Sequence, residues 1–177
     1  MNCLLAGAPT GTTIGVARAL LAAFPGAPVT VLSDDTAGLL RLLDEPGLDG
    51  TEALWADAQV PATVDDALVH RRMLHGRPDV VVVVADEEPA DGGAWRFGGV
   101  LAPRLSGTPL LVTGSAAAGL GARVAADLQA LTAVPPHAVV PGDDPEEVLR
   151  RAAELMRTAP LPPSDSAAPL LSGHCAH

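Results

Sequence analysis

Apolar positions in this chain alternate between short continuous runs and stretches at helical spacing. Cys3-Leu4-Leu5 is the first run. Ile14, Ala17, Leu20, Leu21 and Phe24 then fall on one side of an amphipathic helix, which Pro25-Gly26 ends. Val29–Leu32 predicts a second strand, leaving through Ser33-Asp34-Asp35. Ala37–Leu43 predicts a short helix and Asp44–Gly50 a turn, while Glu52–Ala56 fits either a short strand or an irregular insertion. Thr63, with Asp66 three residues on, has capping-box character and predicts a helix to about Leu74, closed by His75-Gly76 and Pro78. Five consecutive valines, Val80–Val84, predict a central parallel strand buried on both faces. The loop Asp86–Gly93 leads to a helix over Ala94–Leu105, interrupted by Gly98-Gly99 and Pro103. Pro109–Val112 is the fourth predicted strand, with Thr113-Gly114-Ser115 as its exit loop. Leu120, Val124, Leu128 and Leu131 form one helical stripe, and His137–Val140 is the fifth strand. Asp144-Pro145-Glu146-Glu147 opens the last helix with a capping acid, a proline at the first position and acids in the first turn. That helix ends near Arg157, and residues 159–177 form a Pro- and Ser-rich tail outside a domain of residues 1–158.

Strands and helices thus alternate five times, which predicts an α/β fold: a three-layer, doubly wound, five-stranded parallel sheet with right-handed crossovers. Five strands favour the flavodoxin-like order 2-1-3-4-5 over a six-stranded dinucleotide fold. In that order Gly7–Thr13, Ala85–Gly93 and Thr113–Ala118 meet at the switch edge, where a mononucleotide would lie.

Composition narrows the function. A length of 177 residues with 48% hydrophobic content suits one domain with its own core. Aromatics are 2% with no Tyr, so the core must be Val, Leu and Ala. A net charge of −10 argues against nucleic acid and anionic membrane surfaces as partners. No apolar run approaches the roughly 20 residues of a membrane span, and the start lacks a basic segment before an apolar one. Two Cys, Cys3 and Cys175, make no disulfide framework, and Cys3 reads as a buried small hydrophobe. These features together predict a cytoplasmic protein.

The candidate chemistry lies in the first turn. A glycine-rich loop between strand and helix presents backbone N–H groups and the positive end of the helix dipole, so an anion is its natural guest. Gly7 and Gly11 let backbone approach, and Thr10, Thr12 and Thr13 add hydroxyls. The chain has no Lys, which excludes the usual P-loop, and its glycines at 7, 11 and 15 do not form G-x-G-x-x-G. A phosphate cradle and a plain threonine-capped turn both fit the loop. Asp34 lies where a dinucleotide fold places its ribose-binding acid, although Asp34 and Asp35 also suit the start of the next helix.

Ala8-Pro9-Thr10-Gly11-Thr12-Thr13 resembles the T-G-x-T phosphate loop of flavodoxin-like FMN proteins. Leu5–Pro9 (L-A-G-A-P), Gly92-Gly93-Ala94-Trp95, Gly107–Ser115 and Pro169–His177 together resemble the NADPH-dependent FMN reductases that serve two-component alkanesulfonate monooxygenases. That resemblance implies FMN with NADPH or NADH as cofactors, an oxidoreductase activity, a dimer and a flavin-dependent monooxygenase as partner. It implies that Gly7, Pro9, Thr10, Gly11, Thr12 and Thr13 hold the FMN phosphate, and that Asp86, Glu87, Pro89, Thr113, Gly114 and Ser115 line the isoalloxazine. No side-chain nucleophile or base is required, because the cofactors carry hydride transfer. The chain departs from that family in having Ala8 for the usual Ser, no aromatic after the third strand, and three acids at Asp86-Glu87-Glu88. His174, Cys175 and His177 at the terminus are not assigned a metal. Two alternatives stand beside this one. The first is a Rossmann-like interaction module that has lost its cofactor. The second is a remnant of the short-chain dehydrogenases, since Asp57–Val84 resembles their D-x-x-D region followed by G-R-x-D-V-x-V. Their catalytic Tyr and Lys cannot exist in this chain.

Overall fold

The structure is a computed structural model that describes residues 1–85, 93–114, 122–126, 129, 137–141 and 144–158. Its strands are β1 (Cys3–Gly7), β2 (Val29–Ser33), β3 (Thr51–Trp55), β4 (Val80–Ala85), β5 (Leu110–Gly114) and β6 (Ala138–Pro141). The helices are α1 (Gly11–Ala23), α2 (Thr36–Leu43), α3 (Pro61–His75), α4 (Gly93–Arg104) and α5 (Pro145–Thr158), and residues 122–126 are also helical. The strands form one six-stranded sheet in the order β3-β2-β1-β4-β5-β6, with every pairing parallel.

This order corrects the five-stranded flavodoxin-like expectation. Thr51–Trp55 is a full strand, pairing with β2 from Val29↔Thr51 to Ser33↔Trp55. Its sequence, TEALW, hides it because an edge strand is covered less than a central one: none of its residues is fully buried, whereas all six of β4 are. With β3 added beside β2, the chain reverses direction in the sheet between β1 and β4. The six-stranded dinucleotide order has the same reversal.

Alternate residues of the central strands feed two cores. Leu4, Ala6, Val81 and Val83 pack with Val64 and Ala67 of α3 and Phe97 and Leu101 of α4. Cys3, Leu5, Val80, Val82 and Val84 pack with Val16 and Leu20 of α1, Leu39 and Leu42 of α2, and Val148 and Ala152 of α5. The five valines are therefore divided between two faces, as the uninterrupted β-branched run predicts. The cores are built mostly of Val, Leu and Ala, and Phe97 is the one aromatic among the fully buried described residues.

Helix starts differ in detail from the sequence pattern. α3 begins at Pro61, and Thr63 lies inside it, its hydroxyl bonded to the Asp57 amide and to the Asp57 and Val60 carbonyls. The capping box at Thr63–Asp66 is thus replaced by a proline at the first turn. α5 starts as predicted, with Asp144 Oδ1 accepting from the Glu146 amide at 3.0 Å. α4 runs on through Gly98-Gly99 and Pro103 without interruption. The tail expected over residues 159–177 lies outside the described residues.

Candidate functional site

The carboxyl ends of β1, β4 and β5 form a floor of unusually small residues. β1 ends in Gly7, paired with Val84, and β5 ends in Gly114, paired with Ala85. A Cβ on Gly7 would stand 2.4 Å from the Val84 carbonyl oxygen, and one on Gly114 would stand 2.2 Å from that of Ala85. Gly7 also has φ +142°, a conformation that side-chain-bearing residues rarely adopt. Only glycine fits at either point.

Above this floor the chain turns through Ala8, Pro9 and Thr10 into α1. Thr10 is the extended residue before the helix, with φ −89° and ψ −177°. The first intrahelical bond runs from the Ile14 amide to the Thr10 carbonyl, 2.9 Å. The amides of Gly11, Thr12 and Thr13 therefore precede the hydrogen-bond ladder, at the positive end of the helix dipole. Gly11 is exposed, and a Cβ there would meet nothing within 4 Å among the described residues. Thr13 is turned inward: it is buried, and its hydroxyl donates to the Ala8 carbonyl at 2.6 Å, which holds the loop in shape. Thr12 is half-buried.

The loop after β2 braces this turn. Asp35 caps α2 by accepting from the Gly38 amide at 2.9 Å, and its own amide donates to Ser33 Oγ at 3.1 Å. A Cβ on Gly38 would stand 2.7 Å from Pro9 Cγ, so the β1–α1 loop rests directly on the first turn of α2. Asp34 is exposed, and its carboxylate has no partner among the described residues. Its carbonyl accepts from Trp55 Nε1 at 3.2 Å, which places a half-exposed aromatic ring beside it. The sequence pattern did not single out Trp55, because β3 was not recognised as a paired strand. The pairing Ser33↔Trp55 is what brings it to Asp34.

Of the residues assigned from the sequence, Gly7, Pro9, Thr10, Gly11, Thr12 and Thr13 come together around the first turn. Thr113, fully buried, and Gly114 end β5 two strands away from β1. Asp86, Glu87, Pro89 and Ser115 lie outside the described residues. No group of three His, Cys, Asp or Glu among the described residues is arranged to hold a metal ion. The Cys3 thiol is buried and pushed up to about 12, chiefly by that burial, so it is a packing group and no thiolate nucleophile. His137 Nδ1 accepts from the Leu110 amide at 3.1 Å, a structural contact at the start of β5.

No protein-family pattern matches this chain, and no curated protein matches it. Solved structures do. The KRED1-Pglu enzyme is similar at TM-score 0.58 and 18% identity, over 88% of this chain and 86% of that one. A 3-ketoacyl-(acyl-carrier-protein) reductase from Brucella melitensis, complexed with NADH, is similar at TM-score 0.52 and 25% identity, over 67% of this chain and 58% of that one. A short-chain dehydrogenase from Streptomyces avermitilis gives TM-score 0.51 and 19% identity, over 73% of this chain and 56% of that one. This chain therefore spans less than two thirds of the length of the latter two. These likenesses, with the strand order, correct the resemblance to FMN reductases: the fold is the six-stranded Rossmann-like one of these structures, and they support neither the flavin nor the monooxygenase partner.

Proposed function

We propose that this chain binds a nicotinamide dinucleotide across the β1/β4 switch point and serves a pyridine-nucleotide-dependent oxidoreductase reaction. The observation that carries this reading is the open N-terminus of α1 at the point where the strand order reverses. The Gly11, Thr12 and Thr13 amides would face the pyrophosphate, and the space above Gly11 admits it. Asp34, exposed at the end of β2, would accept from the adenosine ribose hydroxyls and repel a 2′-phosphate, which favours NADH over NADPH. Pro9 against Gly38 keeps the two loops in register. The glycines at the ends of β1 and β5 add no side chain to the strand ends that the ligand would lie across. The Brucella melitensis reductase, complexed with NADH, supports the choice of ligand.

When bound, the nicotinamide supplies the hydride; the chain's own residues bind and orient. With neither Tyr nor Lys, the chain cannot run the tyrosine–lysine chemistry of short-chain dehydrogenases. The proposal is therefore limited to dinucleotide binding and hydride positioning. Titration with NADH, NADPH and FMN, followed by cofactor fluorescence, tests it. Saturable binding of NADH, weaker binding of NADPH and none of FMN is the expected result. A protein indifferent to both nicotinamides would favour the interaction module that has lost its cofactor.

A further inference from the structure

A cleft of about 410 Å³ opens at the opposite, amino edge of the sheet, between α3, the turn Gly76–Pro78 and the end of α4. Four of the chain's eleven arginines line it, Arg71, Arg72, Arg77 and Arg104, against one acid, Asp65. In a chain of net charge −10 this is a concentration of guanidinium groups on one face. Arg104 is matched, gripping both Asp65 oxygens at 2.6 and 3.0 Å. Arg71 and Arg77 are different. Arg71 is 1% exposed, yet its donors go to neutral acceptors: Thr30 Oγ1 at 3.1 Å, the Gly76 carbonyl at 3.1 Å, and Asn2 Oδ1. Arg77 donates to Thr108 Oγ1 at 2.9 Å and to the Ser106 carbonyl. Neither has a carboxylate at ion-pair distance among the described residues, and Glu52 and Asp79 act on Arg71 only from farther away. Burial shifts the Arg71 guanidinium below its ordinary range, opposed by Cys3, Glu52 and Asp79, and the Thr30 hydroxyl it donates to passes on to Glu52 Oε2 at 3.0 Å. A buried charge without a counter-charge is costly, and an anion nearby relieves it.

The rest of the lining is apolar: Leu68 and Val69 from α3, Pro78, and Leu105. The volume falls in the range of small-ligand pockets, about 300–1,000 Å³. We propose that this cleft binds a small amphiphilic anion, a carboxylate or phosphate head on an apolar body, with the head at Arg77 in front of Arg71 and the body along Leu68, Val69 and Leu105. The site is at the other end of the strands from the dinucleotide crevice and does not rest on that reading.

Calorimetric titration of the full chain with octyl phosphate, and separately with inorganic phosphate and with octanol, tests the proposal. One-to-one binding of octyl phosphate is expected, weakening with added salt, and at least about tenfold tighter than either fragment. Arg77→Ala should weaken it about tenfold or more. Because Arg77 also holds Ser106 and Thr108, Val69→Glu on an exposed helix face provides a second variant: it places a carboxylate at the cleft wall and should abolish binding with the fold intact by circular dichroism. No saturable binding up to about 1 mM, or equal affinity in Val69→Glu, overturns the proposal. NADH titration of the same variants separates this outcome from that of the crevice.

Discussion

Gly7 and Val84 meet so closely across the β1–β4 pairing that a side-chain carbon on the glycine would lie 2.4 Å from the valine's carbonyl oxygen. The partner atom is backbone in the middle of the sheet, which cannot swing aside. Gly7→Ala should therefore destabilise the protein by about 2–4 kcal/mol, from overpacking plus a strained backbone angle. A urea denaturation midpoint compared with wild type measures it, and an unchanged midpoint would mean that β1 and β4 are not paired in this register.

Cys3 offers a check on the core beneath the same strand. Its pKa is raised by burial from 9.0 to about 12, so between those values the folded state holds a proton that the unfolded state releases. The stabilising contribution is complete below about pH 9 and is lost as pH rises toward 12. In a Cys175→Ser background, the remaining thiol should react with a disulfide reagent at pH 8 only at the rate of unfolding, and stability should fall above pH 9 more steeply than in Cys3→Ala. Rapid labelling of the native protein would contradict the buried placement of β1.

Much of this architecture was legible because the central strands are buried on both sides and are mostly apolar. Val80–Val84 and Cys3-Leu4-Leu5 announce themselves for that reason. Thr51–Trp55 does not, since an edge strand keeps one side open and can carry Glu52 and an exposed Trp55. Missing its pairing changed the expected strand order; the turn after β1 was expected over Gly7–Thr13, and it is shorter, because α1 already begins at Gly11. The bracing of Pro9 on Gly38 and the inward turn of Thr13 depend on contacts between distant segments, which periodicity does not encode.

In the proposed function, Asp34 sets the selectivity of the crevice. Its carboxylate has no partner among the described residues, so replacing it disturbs little else. Asp34→Asn should lower NADH affinity about tenfold while leaving stability within about 0.5 kcal/mol, and should narrow the preference over NADPH. Parallel binding titrations and thermal melts separate the two effects. Identical selectivity in the variant would place the adenosine ribose elsewhere.

The most direct measurement is NADH affinity in Gly11→Asp. Gly11 is exposed, with no described residue within 4 Å of where a side chain would start, and a carboxylate in the first turn of α1 suits the helix dipole, so the fold should be as stable as wild type or more so. The same carboxylate would stand where the pyrophosphate is proposed to sit. The account predicts saturable NADH binding by the wild type and a loss of at least about tenfold in the variant. Wild-type protein that does not bind NADH, or a variant that binds it equally well, would contradict it.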